Sequence, residues 1–244
     1  MNTVLHVAEE VRDVIDGLVE AAERAFGDSL RSLVLYGSAA EGRMRATSDI
    51  NLLFVLARFD AVSADRFREP FRFARSAARV SVMFALDDEI HEAAAEAFAQ
   101  KFADMQRRHV VLRGDDPFNG MTIPRDALIR RVQQVLLNLT IRLRERYVER
   151  SLRDEQCAIT VADAAGPLRA SASTILELEG RGVVAPKQAL ETIVRELGRP
   201  DLIELLPHVS EAREQRTLPA GQAAQYLFAT LELARALHHR SLKP

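Results

Sequence analysis

Tryptophan is absent from this chain, cysteine occurs once, and only three of its 33 basic residues are lysine. The single Cys157 excludes an intramolecular disulfide framework and cannot by itself build a Cys-rich zinc site, so a reducing cytoplasm is the expected location. No stretch approaches the roughly eighteen uninterrupted apolar residues of a membrane span. Residues 1–6 lack the basic start and apolar core of an export signal, so neither insertion nor export is expected. Charge of one sign is also missing. A formal net charge of −2 gives nucleic acid no whole-molecule attraction. The six histidines show no paired metal-ligand spacing. The arginine bias, with abundant alanine, reads as a GC-rich genome before it reads as RNA recognition.

What is present is apolar content sufficient for a large core. At 244 residues and 48% hydrophobic, the chain can bury one large core or two small ones. Val7, Val11, Val14, Ile15, Leu18 and Ala22 recur at helical spacing and predict an amphipathic helix to about Ala25. Strands are expected over 31–36, 50–56, 79–86 and 109–112, with a short helix or turn over 38–44. A helix over 61–78 should break at Pro70. Another should start at Asp87-Asp88-Glu89, where carboxylates suit the helix dipole, and run to about Met105. After Gly120 the pattern changes, and from Pro124 onward helical periodicity dominates. Leu128, Val132, Val135, Leu139, Leu143 and Tyr147 mark one long seam. Further helices are expected over 156–179, 186–197, 200–214 and 219–240, with Pro186 and Pro219 in their first turns. Two domains follow, 1–120 and 121–244: an α/β (α+β) unit with a small mixed sheet, then an all-α bundle.

One constellation carries chemistry. Leu35-Tyr36-Gly37-Ser38-Ala39-Ala40-Glu41-Gly42 ends a strand in a glycine-containing turn, where free backbone N–H groups and close approach suit a phosphate. Six residues later Ser48-Asp49-Ile50-Asn51-Leu52-Leu53 opens the next strand. Side chains alternate along a strand, so positions 49 and 51 share a face, ~7 Å apart, suited to two ligands converging on one site.

This arrangement resembles the DNA polymerase beta-like nucleotidyltransferase superfamily, whose signature is an apolar strand, Gly-Ser, a spacer, then Asp-apolar-Asp on the following strand. The likeness runs from Leu33 to Leu56. Arg107 to Phe118, with its Gly114-Asp115-Asp116-Pro117 turn, is similar to the close of such domains in bacterial members. The helical second half is similar in architecture to aminoglycoside nucleotidyltransferases. The resemblance implies two magnesium ions on three carboxylates and transfer of a nucleotide monophosphate from a nucleoside triphosphate to an unidentified small-molecule or protein acceptor. Carried over, Gly37 and Ser38 contact the β and γ phosphates, Arg43 and Arg45 meet the triphosphate, and Asp49 is the first metal ligand. Asn51 occupies the position of the second. The third is expected on the strand 79–86, where Ser81 and Met83 stand; Asp87 and Asp88, just past the end of that strand, are the alternative for a rearranged ligand.

Asparagine offers a carbonyl oxygen but no negative charge, and magnesium sites lean on carboxylates. One charge lost about 4 Å from a divalent ion weakens attraction by roughly 4 kcal/mol per unit of ion charge at an effective dielectric of 20. Magnesium is therefore expected to be held weakly and catalysis to suffer, while triphosphate binding can persist. The alternative is a noncatalytic nucleotide-sensing or protein-interaction module, antitoxin-like in character. The helical half is compatible with a homodimer. Each signal has a plain reading too: Gly37-Ser38 as an ordinary turn, Asp49 as a cap, Arg43 and Arg45 as solvated loop cations. Arg142, Arg146, Arg150 and Arg153 lie near one helical face, but interleaved Glu145 and Glu149 favour pairing on a solvated surface.

Overall fold

A computed structural model describes residues 7–44, 48–90 and 95–243. The chain divides into two compact units, one through Pro124 and the other from Arg125. The architecture is α/β, a four-stranded mixed sheet with helices followed by a helical region.

In the first unit α1 spans Glu9–Phe26, with Glu9 and Glu10 at its positive end and Ile15, Leu18 and Ala22 buried. Val7 precedes this helix but packs against the same core as Val11 and Val14. Strands β1 (Leu30–Tyr36) and β2 (Ile50–Leu56) are antiparallel, with Tyr36 opposite Asn51. The helix α2 (Ala61–Ala78) then crosses over so that β3 (Val80–Leu86) runs parallel to β2, with Asn51 opposite Ser81. After the short turns α3 (Asp87–Glu89) and α4 (Ala95–Ala97), α5 (Ala99–Arg107) leads to β4 (His109–Gly114), antiparallel to β1 with Tyr36 opposite His109. The sheet order is β3-β2-β1-β4.

Three expectations need correction here. Pro70 lies inside α2 without ending it. The hydrogen bond it forfeits would go to the Arg66 carbonyl on an exposed stretch, where water substitutes, while buried Phe67 and Ala74 anchor both halves. Arg79 is not the first residue of a strand; it takes the left-handed conformation (φ 49°) that terminates α2. The helix expected from Asp87 to Met105 is interrupted, since Phe98 (φ −118°, ψ 31°) leaves helical geometry ahead of α5.

The sheet's two faces follow from strand alternation. Ile50, Leu52, Phe54 and Leu56 pack with Ile15, Leu18, Phe26 and Phe67 from α1 and α2. Leu53, Val55, Val34 and Ala85 face the other way, toward Ile90, Phe102, Met105 and Phe118. Gly114 is required where it stands. At φ +78° its added Cβ would fall 1.9 Å from the Arg31 carbonyl oxygen.

The second unit comprises α6 (Arg125–Arg150), α7 (Asp154–Leu178), α8 (Pro186–Leu197), α9 (Pro200–Gln215) and α10 (Ala223–Ser241). Helix α7 is buried nearly all round, from Cys157 to Leu178, and contacts the other four, as the central member of a bundle must. Arg240 ties the end of the chain back, donating to Glu179 at 2.7 Å and pairing with Glu196 at 2.8 Å. Pro186 is in the first turn of α8, as expected. Pro219 is not in a helix; residues 219–222 form a turn, because α10 starts only at Ala223.

Candidate functional site

The strand register fixes one row across the mouth of the sheet: Ser81 on β3, Asn51 on β2, Tyr36 on β1 and His109 on β4. Directly after Tyr36 the chain turns through Gly37, at φ +79°, a conformation only glycine takes without penalty. A Cβ there would meet the Asn51 amide nitrogen at 3.7 Å, so position 51 lies against the turn.

The loop is closed by its own backbone. Gly37 N–H donates to the Arg108 carbonyl at 3.0 Å, Glu41 to Gly37 at 3.3 Å, Gly42 to Ala39 at 3.2 Å and Arg43 to Ser38 at 2.9 Å. Among the described residues the N–H groups of Ser38, Ala39 and Ala40 are given to no backbone carbonyl; Ala39 is buried, while Ser38 and Ala40 are partly exposed. These two, rather than Gly37 itself, are the donors an anion would meet. Arg108, which the sequence places in the Arg107–Phe118 stretch but gives no role, is the residue that holds the turn. Its carbonyl takes Gly37, and its guanidinium pairs with Glu41 at 3.2 Å and with Asp104. Its position just before β4 is the only signal that could have found it.

The two loop arginines fare differently. Arg43, exposed, leans on Glu41 at 3.4 Å. Arg45 lies outside the described residues. Asp49 sits at the entrance to β2 with its carboxylate accepting from Arg79 Nε at 3.0 Å, both side chains more than half exposed. Such a solvated pair is worth about 0–1 kcal/mol, so it orients Asp49 without locking it. Together they border an open pocket of about 430 Å³ lined also by Phe71, Arg75, Val80, Ser81 and Val82. Asn51 donates its Nδ2 to the Asp49 carbonyl at 3.3 Å, which leaves its side-chain oxygen free to face elsewhere.

Tyr36 is half-buried, and burial, helped by the charge of Asp104, pushes its hydroxyl up to about 12. It therefore remains a neutral donor at any physiological pH. His109 at the end of the row is structural: Nδ1 reaches the Met105 carbonyl at 3.0 Å and Nε2 reaches Asp116 at 3.2 Å, folding the Gly114–Phe118 turn back on β4.

The fit to magnesium fails on the donor set. Asp49 carries a carboxylate, Asn51 is neutral, and on β3, where the resemblance expects the third ligand, neither Ser81, the register partner of Asn51, nor Met83 supplies one; Asp87 and Asp88 lie beyond the far end of that strand. Among the described residues no group of three His, Cys, Asp or Glu side chains could hold a metal ion.

No protein-family model matches the chain, and no curated protein does. Among solved structures it is similar to spectinomycin adenyltransferase AAD(9) from Enterococcus faecialis, crystallised with ATP and spectinomycin. The TM-score is 0.65 and the identity 12%, covering 93% of this chain and 98% of that one. The likeness is one of fold, and the chain has the nucleotidyltransferase fold followed by a helical region. Among the described residues no helix is long and apolar enough to cross a membrane.

Proposed function

We propose that this protein binds a nucleoside triphosphate at the Gly37 turn and has lost efficient nucleotidyl transfer. The observation that carries this reading is the mouth row. The turn keeps two uncommitted N–H donors at Ser38 and Ala40, whereas Asn51 and Ser81 stand side by side without charge where metal ligands would be needed. Binding a triphosphate needs donors and positive potential. Activating an acceptor hydroxyl by two-metal chemistry needs carboxylates to hold the ions. The free donors of the turn support the first, and the neutral Asn51 and Ser81 argue against the second.

What the chain's own residues do is then limited and concrete. Ser38 and Ala40 offer backbone N–H groups to phosphate oxygens, and the Asn51 and Ser81 side chains offer neutral hydrogen bonds. Tyr36 stays protonated beneath the turn, while Arg108 holds the loop in shape. ATP is the first nucleotide to test, because the similar adenyltransferase was crystallised with it. The base, the acceptor and any protein partner belong to the same test.

Calorimetry of the full chain should show ATP binding, with no metal-dependent release of pyrophosphate across a panel of acceptors. Asn51→Asp alone should leave transfer undetectable, because Ser81 beside it remains neutral. Asn51→Asp combined with Ser81→Asp should bind manganese measurably more tightly than the parent. Metal-dependent turnover by the parent, abolished by Asp49→Ala, would show that catalysis persists and refute the loss.

A further inference from the structure

The face of the sheet that carries Asn51 also holds a cation. Lys101, on α5, places its Nζ 3.3 Å from the Met83 sulfur on β3 and 5.8 Å from the centroid of the Tyr36 ring on β1. Because β2 lies between those two strands, an ammonium reaching both stands over β2, beside Asn51 and Leu53. Neither contact neutralises it. A thioether is a weak acceptor, and a ring face attracts a cation only modestly. Asp104, one turn along the same helix, is engaged with Arg108 instead. Among the described residues no carboxylate pairs with Lys101.

Lys101 is an exposed residue, but its ammonium rests against the Met83 thioether and the Tyr36 ring without a counter-ion, and partial desolvation there lowers its affinity for the proton. The residue type is itself informative in a chain whose cations are otherwise nearly all arginine. Lysine is a compact point charge on a flexible stem, suited to meeting phosphate oxygens from one side, whereas the guanidinium fork would need a planar partner. The electrostatic balance agrees. Two divalent ions on three carboxylates present a single net positive charge to a triphosphate. With Asp49 paired to Arg79 and positions 51 and 81 neutral, Lys101 presents the same single charge without any ion.

We propose that the Lys101 ammonium takes the place of the metal ions, so that the mouth of the sheet binds a nucleoside triphosphate through its phosphates directly and without a divalent cation. The proposal rests on the nucleotide reading above and adds to it the residue and the metal independence. Lys101 approaches from the α5 side, Ser38 and Ala40 N–H groups from the turn, and Asn51 and Ser81 from the strands.

The test is calorimetry of the full chain with ATP and with inorganic tripolyphosphate, each in EDTA and in magnesium, for the parent, Lys101→Met and Lys101→Arg. Both ligands should bind in EDTA as well as in magnesium. Lys101→Met should weaken binding about tenfold or more, the scale of a lost charge-assisted hydrogen bond. Lys101→Arg should recover part of that loss. Thermal melting separates function from folding: Lys101 is exposed and has no ion pair among the described residues, so Lys101→Met should leave the Tm unchanged, whereas a structural lysine would lower it. Binding that requires magnesium, or that survives Lys101→Met unchanged, overturns the assignment of Lys101 while leaving the nucleotide reading intact. No binding in either buffer overturns both.

Discussion

The two faces of the sheet are made by alternate residues of the same strands, yet they have been put to different uses. On one, Phe26, Phe54, Phe67 and Phe84 form a closed aromatic cluster, with Phe54 4.9 Å from Phe84 and 5.2 Å from Phe67. On the other, the apolar layer stops one row short of the mouth and gives way to Tyr36, Asn51, Ser81 and Lys101. The aromatic face is filled around Phe54, and the pocket beside Asp49 opens only at its edge, against Phe71, Val80 and Val82. The mouth is polar and partly exposed, and it carries backbone donors and an ammonium that a packed face would exclude. Positions 51 and 81 lie at the edge of the packed layers, so the neutral residues there, on which the proposed loss of transfer rests, need not disturb the core.

The sharpest break in that contrast is Phe54→Ala. Phe54 is fully buried, and truncation should cost about 3–5 kcal/mol in denaturant unfolding. The nucleotide affinity of whatever fraction remains folded should be little changed. A loss of under ~1 kcal/mol would mean the aromatic face is not the structural one.

Gly37→Ala is expected to do the reverse. Holding alanine at φ +79° should cost roughly 1–2 kcal/mol of stability and open the turn next to Asn51. ATP affinity should fall more than the Tm suggests; equal affinity would remove the turn from the site.

The smallest effect is expected at Arg79, whose left-handed backbone and exposed pairing make it a tolerant position. Arg79→Gly relieves about 1 kcal/mol of backbone strain and gives much of it back as chain entropy. Unfolding should shift by less than that, and Asp49 should be released. A large loss of stability would mean that the Asp49–Arg79 pair is structural rather than a loose latch.

Much of the fold was legible because its signals are local. The run from Ile50 to Leu56 is a buried strand in any context, and it has those bounds in the structure. Pro186 likewise marks the start of α8. Pro70 misled because a proline's penalty depends on whether the carbonyl it strands can reach water, which is a property of the surface. Pro219 misled because a first-turn preference does not say whether a helix begins at once. The helix expected through Met105 is broken at Phe98, an exposed residue whose backbone leaves the helical region and whose position in the periodic pattern carries no sign of it.

The site divides the same way. By itself the sequence determined that a glycine turn precedes a strand carrying Asp49 and Asn51, since such spacing is written in consecutive residues. Only the tertiary structure could decide that Ser81 is the neighbour of Asn51, that Arg79 holds Asp49, that Arg108 props the turn, and that Lys101 stands over β2. Those relations join residues far apart in the chain. They depend on which strands pair and which helix covers them, and no local preference encodes that.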